Sequence, residues 1–278
     1  MTKQKDWLIR FFKGIIIALG FIVPGASGSL LAAILGIYEK LLNFLANLTK
    51  EFKENFFFFL PIGIGGILGI GLLSAPLDFL LERYQIMILW GFAGIIIGTI
   101  PSLYKTSTLK RKRETNDIIL FLFAAGISFF ILYFMSDLSM NIPDSFVGFI
   151  IAGGIIAIGV LIPGLSPTNI LLILGIYHSM LDGFRNFDFL HVFLPIMIGG
   201  AISVLLLSKI MDNLIKKHHT RMYHVILGLV VSSTILIVIP PVANYSGITM
   251  INIIVSVLLF LIGICLGLGM GKLEEKYK

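Results

Sequence analysis

The residues with chemistry to offer gather in two short stretches. Val23-Pro24-Gly25-Ala26-Ser27-Gly28-Ser29 and Ile162-Pro163-Gly164-Leu165-Ser166-Pro167-Thr168 each place a proline and a glycine just ahead of hydroxyl side chains. Proline removes a backbone donor and glycine lets the chain turn, so each stretch ends one helix and opens the next. A helix start presents unpaired N–H groups and the positive end of its dipole. Ser27, Ser29, Ser166 and Thr168 are suitable N-caps and add hydroxyl donors. Such a set holds an anion, with Pro24, Gly25, Ser27, Gly28 and Ser29 on one side and Pro163, Gly164, Ser166 and Thr168 on the other. The competing reading is that each stretch is a tight turn packed against its partner.

Few other side chains near the apolar segments can titrate. Glu39 and His178 each follow a tyrosine, Tyr38 and Tyr177, in matching contexts. They read either as a proton-sensitive pair or as markers of the chain's return to the membrane interface. Arg10 and Lys13 sit at the head of the first apolar run, where a cation neutralises an anionic headgroup or marks topology. His218, His219 and His224 lie in or beside a basic stretch with no carboxylate at ligand spacing, which argues against a metal site. No Ser/His/Asp constellation, Walker loop or dinucleotide fingerprint is present, so neither enzymatic activity nor a cofactor is expected. The single Cys265, between Gly263 and Gly267, reads as packing.

The elements that position these residues follow from composition. The chain has 278 residues, 57% hydrophobic and only 13% charged, against about 25% charged in an ordinary soluble domain. Residues 55–77, 84–104, 118–136, 189–208 and 225–271 contain no Asp, Glu, Lys or Arg. Each holds at least one span, since a helix needs roughly 20 apolar residues to cross hydrocarbon. The last divides at Pro240-Pro241 into two. The expected fold class is therefore an all-α polytopic membrane protein, one transmembrane domain over 1–278. The net charge of +6 does not indicate a nucleic-acid partner, because the basic residues flank apolar segments and so report orientation. The N-terminal Lys3, Lys5, Arg10 and Lys13 before an apolar run resemble a secretory signal. The same apolar-then-Pro-Gly pattern recurs mid-chain, so these residues are read as part of the mature protein.

That recurrence is an internal repeat. The two Pro-Gly stretches are offset by 139 residues, and Ile34-Leu35-Gly36-Ile37-Tyr38 is identical to Ile173-Leu174-Gly175-Ile176-Tyr177 at the same offset. Phe59-Leu60-Pro61-Ile62 with Ile64-Gly65-Gly66 matches Phe193-Leu194-Pro195-Ile196 with Ile198-Gly199-Gly200, now offset by 134.

Between Lys13 and Pro24 lie ten uncharged residues, about 15 Å of helix and half a bilayer. The first copy therefore opens with a re-entrant hairpin, 10–40, within a repeat unit over 8–104. Residues 145–177 are too long for one span and are broken by Pro163 and Pro167. They give a second hairpin, 145–182, within a unit over 145–240. A linking helix, 118–136, separates the units, and 249–271 is the final span. The basic loops 105–113 and 209–221 belong inside; 78–83, 137–144 and 240–248, with few or no cations, belong outside. Counting crossings places both termini in the cytoplasm and sets the two units in opposite orientations, an inverted repeat. Inverted repeats with discontinuous helices are a recurring plan for transporters, and irregular backbone at membrane depth survives only where protein or water covers it.

At Gly14 through Glu39 and at Pro163-Gly164-Leu165-Ser166 through Tyr177, the sequence resembles the bacterial polyprenyl-phosphate translocases of the PopT type, long catalogued only as a domain of unknown function. The resemblance implies uptake of undecaprenyl phosphate at the outer leaflet of the bacterial cytoplasmic membrane. Its return to the cytoplasmic face recycles the carrier for cell-wall polymers. Two re-entrant hairpins are implied as well. The sequence departs from the family pattern where Ser29-Leu30 follows Gly28, and where Pro167, which has no N–H, removes a candidate phosphate donor. The partners expected are the bilayer and an anionic polyprenyl lipid, with a coupling proton or sodium and a homodimer left open. A carrier of a small soluble anion and a scaffold for envelope enzymes are the alternative functions.

Overall fold

A computed structural model describes residues 3–22, 27–135, 142–165, 167–186, 188–239, 245 and 247–277. The described residues are helical, in the order α1 (Lys3–Ile22), α2 (Gly28–Ile34), α3 (Tyr38–Ala46), α4 (Phe52–Ser107), α5 (Thr115–Met135), α6 (Phe146–Leu161), α7 (Pro167–Ile173), α8 (Tyr177–Arg185), α9 (Leu194–Val238) and α10 (Met250–Tyr277). One wide turn, Phe189–Phe193, leads directly into α9. Among the described residues, five segments are long and apolar enough to cross a membrane, Phe52–Leu73, Phe79–Ser107, Thr115–Phe134, Phe189–Val238 and Met250–Lys272, and the bent pair Gly28–Ile34 and Tyr38–Ala46 together would make a sixth. The fourth has 50 residues, about 75 Å if straight, which is more than two hydrocarbon thicknesses. Its backbone leaves helical geometry at His218 (φ −125°, ψ 41°), so it forms two legs. In α4 the same happens at Tyr84 (φ −134°, ψ 35°). The protein is an all-α, multi-pass membrane protein. Phe123 and Phe130 on α5 and Ile251 on α10 are more than half exposed, as side chains that face lipid are.

The segments 78–83 and 209–221, expected as loops, are instead helical up to or through these breaks. Charge marks where a chain leaves hydrocarbon, not where its helix ends, and neither segment contains a glycine or proline to end it. Cys265 also departs from expectation, being exposed on α10 rather than packed.

Close approach of backbones sets the packing, as is usual where lipid removes the hydrophobic drive between helices. A Cβ on Gly14 of α1 would collide with the carbonyl of Ile62 in α4, and one on Gly65 with that of Phe11. In the second copy, a Cβ on Gly153 of α6 would collide with the carbonyl of Ile196 in α9, and one on Gly199 with that of Ile150. These are the same residue pairs at the offsets 139 and 134. The parallel extends further: α10 packs along the second leg of α4 through Gly94 and Gly98, and α5 along the second leg of α9 through Gly228. Gly65, Gly66 and Gly69 thus serve packing within one chain, while Gly63 faces open space.

Both short helices end alike. Gly36 (φ +69°) and Gly175 (φ +73°) turn the chain into α3 and α8, a left-handed conformation that glycine adopts without strain. The first turn is sharp, with 113° between α2 and α3. All seven residues of α2 are buried, and Leu30, Ile34 and Tyr38 belong to the main core.

Candidate functional site

The site is assembled around the first break. Ser27 is the N-cap of α2, its hydroxyl oxygen accepting from the Leu30 N–H. The Ser27 and Ser29 hydroxyls lie 2.9 Å apart, and both side chains are only 3% exposed. Ser29 Oγ donates to the carbonyl of Gly159 in α6 at 2.6 Å. Its one proton is committed there, so Ser27 supplies the proton between the two hydroxyls. The residues expected as free donors to an anion are therefore satisfied from within. Tyr38 Oη donates to the Leu161 carbonyl, a second buried bond from the first copy to the helix preceding the second break. Packing is as tight: a Cβ on Gly20 would press on Gly28, and one on its counterpart Gly159 on the Pro167 ring.

The ends of α2 and α7 are held differently. Lys13 Nζ on α1 donates to the Leu35 carbonyl at 2.7 Å. In the second copy the Ile142 backbone N–H donates to the equivalent Leu174 carbonyl at 3.0 Å.

At the second break Pro163 and Gly164 are buried, Gly164 at φ +89° against Leu229 and Val230 of α9, and Thr168 is half-buried on α7. Pro24, Gly25 and Ser166 lie outside the described residues. Arg10 pairs with Asp6 one turn earlier on α1, and its guanidinium lies 4.2 Å from the Phe58 ring centre. Lys40 Nζ lies 3.6 Å from the same ring.

Glu39 and His178 are not brought together as the sequence pairing suggested. His178 is exposed on α8, its ring against Tyr177. Glu39 instead meets α9: His219 Nε2 stands 3.2 Å from Oε1, and Tyr223 Oη donates to the same oxygen at 2.7 Å. The carboxylate thus ties α3 to the second leg of α9. A cavity of about 220 Å³ opens here, lined by Gly36, Glu39, Thr106, Lys110, His219 and Tyr223. Sequence reasoning missed His219 and Tyr223. Their one signal is the spacing of four that sets both on one face of α9. Among the described residues no three of His, Cys, Asp and Glu gather as metal ligands would.

One family model and two named relatives match the chain. The model of the undecaprenyl phosphate translocase-like family matches residues 1–116 and, again, 47–248. A polyprenyl-phosphate transporter of Staphylococcus aureus is 28% identical over 283 residues, covering 95% of this chain and 97% of the relative. A polyprenyl-phosphate transporter of Vibrio cholerae is 25% identical over 230 residues, covering 78% and 72%. No solved structure matches at a significant level.

Proposed function

Because the chain belongs to the undecaprenyl phosphate translocase-like family, we propose that it moves a polyprenyl phosphate across the bacterial cytoplasmic membrane, recycling the lipid carrier of the cell envelope. It does so as a transporter and not as an enzyme. The observation that carries the reading to particular residues is the junction of the two copies, where Ser29 Oγ donates to the Gly159 carbonyl in a buried setting. That the two copies are one packing unit repeated is supported by the equivalent glycine contacts at Gly14 and Gly153 and at Gly65 and Gly199; their inversion is read from the charge of the connecting segments.

The junction works as a latch. In the closed form Ser27 and Ser29 satisfy each other and Gly159. A phosphate headgroup arriving between the breaks takes those hydroxyl protons into shorter, charge-assisted bonds, roughly twice as strong as neutral ones. The Gly159 carbonyl is then released and the two copies are free to move apart. Thr168 and Ser166 supply the matching hydroxyls from the second break. Pro163 and Gly164 shape the second turn, Pro24 and Gly25 are the matching residues of the first copy in sequence, and the apolar faces of the spans carry the prenyl chain.

The test is reconstitution of the full chain in liposomes with a labelled polyprenyl phosphate, following its exchange between leaflets. Exchange well above protein-free vesicles is expected, with no flux of inorganic phosphate. Phosphate flux without lipid exchange turns the reading into that of a soluble-anion carrier. The absence of both, with folded protein, sinks transport altogether. Single cysteines at 78–83 and at 110–113, labelled from either side, check that the two segments lie on opposite faces.

A further inference from the structure

We propose that a slot beside the second leg of α9 seats the first isoprene units of a polyprenyl phosphate, with Arg113 on its phosphate. The choice of lipid rests on the transporter reading, and the slot lies apart from the two breaks. Helices α4 and α5 both pack against α9, while making almost no contact with each other. The space left between them, about 290 Å³, has Tyr104, Arg113, Ile118, Phe121, His224 and Leu227 among its walls. Its floor, on α9, is buried, whereas Tyr104 and Ile118 on its rim are 41% and 37% exposed. Those two rim residues belong to different membrane-crossing segments, Phe79–Ser107 and Thr115–Phe134. The slot therefore opens sideways between two spans, toward lipid. The turn between α4 and α5, which contributes Arg113, closes its basic end.

Charge decides what fills the slot. Arg111 of the same turn is neutralised by Asp117 at 2.8 Å and by Glu114 at 3.2 Å. Arg113 has no ion-pair partner among the described residues, and its guanidinium lies 5.9 Å from the centre of the Tyr104 ring on the rim. That ring holds the cation at the mouth of the slot. His224, in the floor, has its Nδ1 2.7 Å from the Thr220 carbonyl. A site that is apolar along its length and cationic at one end complements an amphiphile with an anionic head. A phosphate monoester, with about 1.5–2 negative charges, answers Arg113 and the neighbouring Lys110 and Lys112 best, and a guanidinium can grip it through two parallel bonds. A phospholipid joins two chains to its phosphate through glycerol, whereas a narrow slot suits one chain joined to the phosphate directly. An uncharged isoprenoid would leave Arg113 unanswered, and free phosphate would leave the slot empty. Ligand sites usually measure about 300–1,000 Å³, so this one takes only the start of a long chain. The rest lies in the bilayer along α5, where Phe123 and Phe130 are exposed.

The test labels the full chain, in nanodiscs of neutral lipid, with a farnesyl phosphate that carries a diazirine on its chain close to the phosphate. Cross-links are mapped by mass spectrometry and their yield is titrated. They are expected around Ile118 and Phe121 on α5 and around Leu227 on α9. Unlabelled farnesyl phosphate should compete, and farnesol, inorganic phosphate and phosphatidylglycerol should compete far more weakly. In Arg113→Gln the half-saturating concentration should rise about tenfold or more, the effect of one lost hydrogen bond to a charged group. Ile118→Trp fills the slot from its exposed rim and should abolish the cross-links to α9. Ile251→Trp, the same exchange on the exposed face of α10, should leave them unchanged. Labelling spread over the lipid-facing side chains of other spans overturns the site, as does an Arg113→Gln protein that binds like wild type. Equal competition by phosphatidylglycerol overturns the assignment to a polyprenyl phosphate, and equal competition by inorganic phosphate overturns the role of the slot. Loss of lipid exchange with the cross-links intact overturns translocation and leaves the slot standing. Normal exchange with no cross-link in the slot does the reverse.

Discussion

Ser29 and Gly159, 130 residues apart in the chain, are joined by a 2.6 Å hydrogen bond in which the serine's only proton is spent on a backbone carbonyl. The bond ties the helix after the first break to the helix before the second. It turns a residue that looks like a free ligand into part of a closed junction. Ser29→Ala leaves a buried carbonyl unpaired, at a cost of about 1–3 kcal/mol. The expected result is a lower denaturation temperature by a few degrees and a fall in lipid exchange beyond what the lost folded fraction explains. Exchange per folded molecule equal to wild type would remove the hydroxyl from the mechanism.

The glycine contacts make a paired prediction. Gly14→Ala and Gly153→Ala each drive a methyl group into the backbone of a neighbouring helix, at Ile62 and Ile196. Backbone cannot swing aside as a flexible side chain can, so each should cost more than the about 1–3 kcal/mol of ordinary overpacking. Gly63→Ala meets nothing within 4 Å and should be neutral. Monodisperse yield and thermal denaturation of the three variants, measured side by side, decide the point. Equal behaviour of all three would contradict the packing described.

Glu39 offers a test of the joint between α3 and α9. Its carboxylate accepts from Tyr223 Oη at 2.7 Å and stands 3.2 Å from His219 Nε2. Tyr223→Phe keeps the ring and removes only the first bond, and should cost about 1–3 kcal/mol, as hydrogen bonds to charged groups do. In Glu39→Gln the same change should cost less, because the charged acceptor is gone. Equal losses in the two backgrounds, measured by thermal denaturation, would show that the bond does not form.

Asp117 organises the basic turn. It receives both Arg111 Nη1 and Nη2 at 2.8 Å and the Glu114 backbone N–H at 2.8 Å, and its side chain is fully buried. Asp117→Ala removes all three bonds and frees the Lys110–Arg113 segment. Trypsin should then cut there faster than in wild type when it has access to the basic side of proteoliposomes. An unchanged cleavage rate would mean that the turn is held by other contacts.

Much of this architecture can be read from residue order. The spans follow from runs without charge, and the repeat from the pentamer shared by Ile34–Tyr38 and Ile173–Tyr177. Even the glycine contacts were implicit in it, since Gly65-Gly66 and Gly199-Gly200 occupy matched positions. The Glu39–His219 bond was not. Its partners are 180 residues apart, and His219 stands in a cationic stretch where topology already accounts for every residue. Hydroxyl direction was equally hidden: type and spacing show that Ser29 can donate, while only the approach of α6 decides to what. The helical course of 209–221 is hidden because charge marks the exit from hydrocarbon and not the end of a helix, and nothing in that stretch disfavours a helix.

One asymmetry separates the copies. The end of α2 is closed by the Lys13 side chain on the Leu35 carbonyl, and the end of α7 by the main-chain N–H of Ile142 on the Leu174 carbonyl. A side chain can be exchanged by many codon changes, whereas a backbone N–H is lost only by a change to proline. The first closure can therefore be tuned in steps, and the second only kept or removed. Variation in how firmly such a carrier closes should accumulate at the lysine position and leave its counterpart untouched.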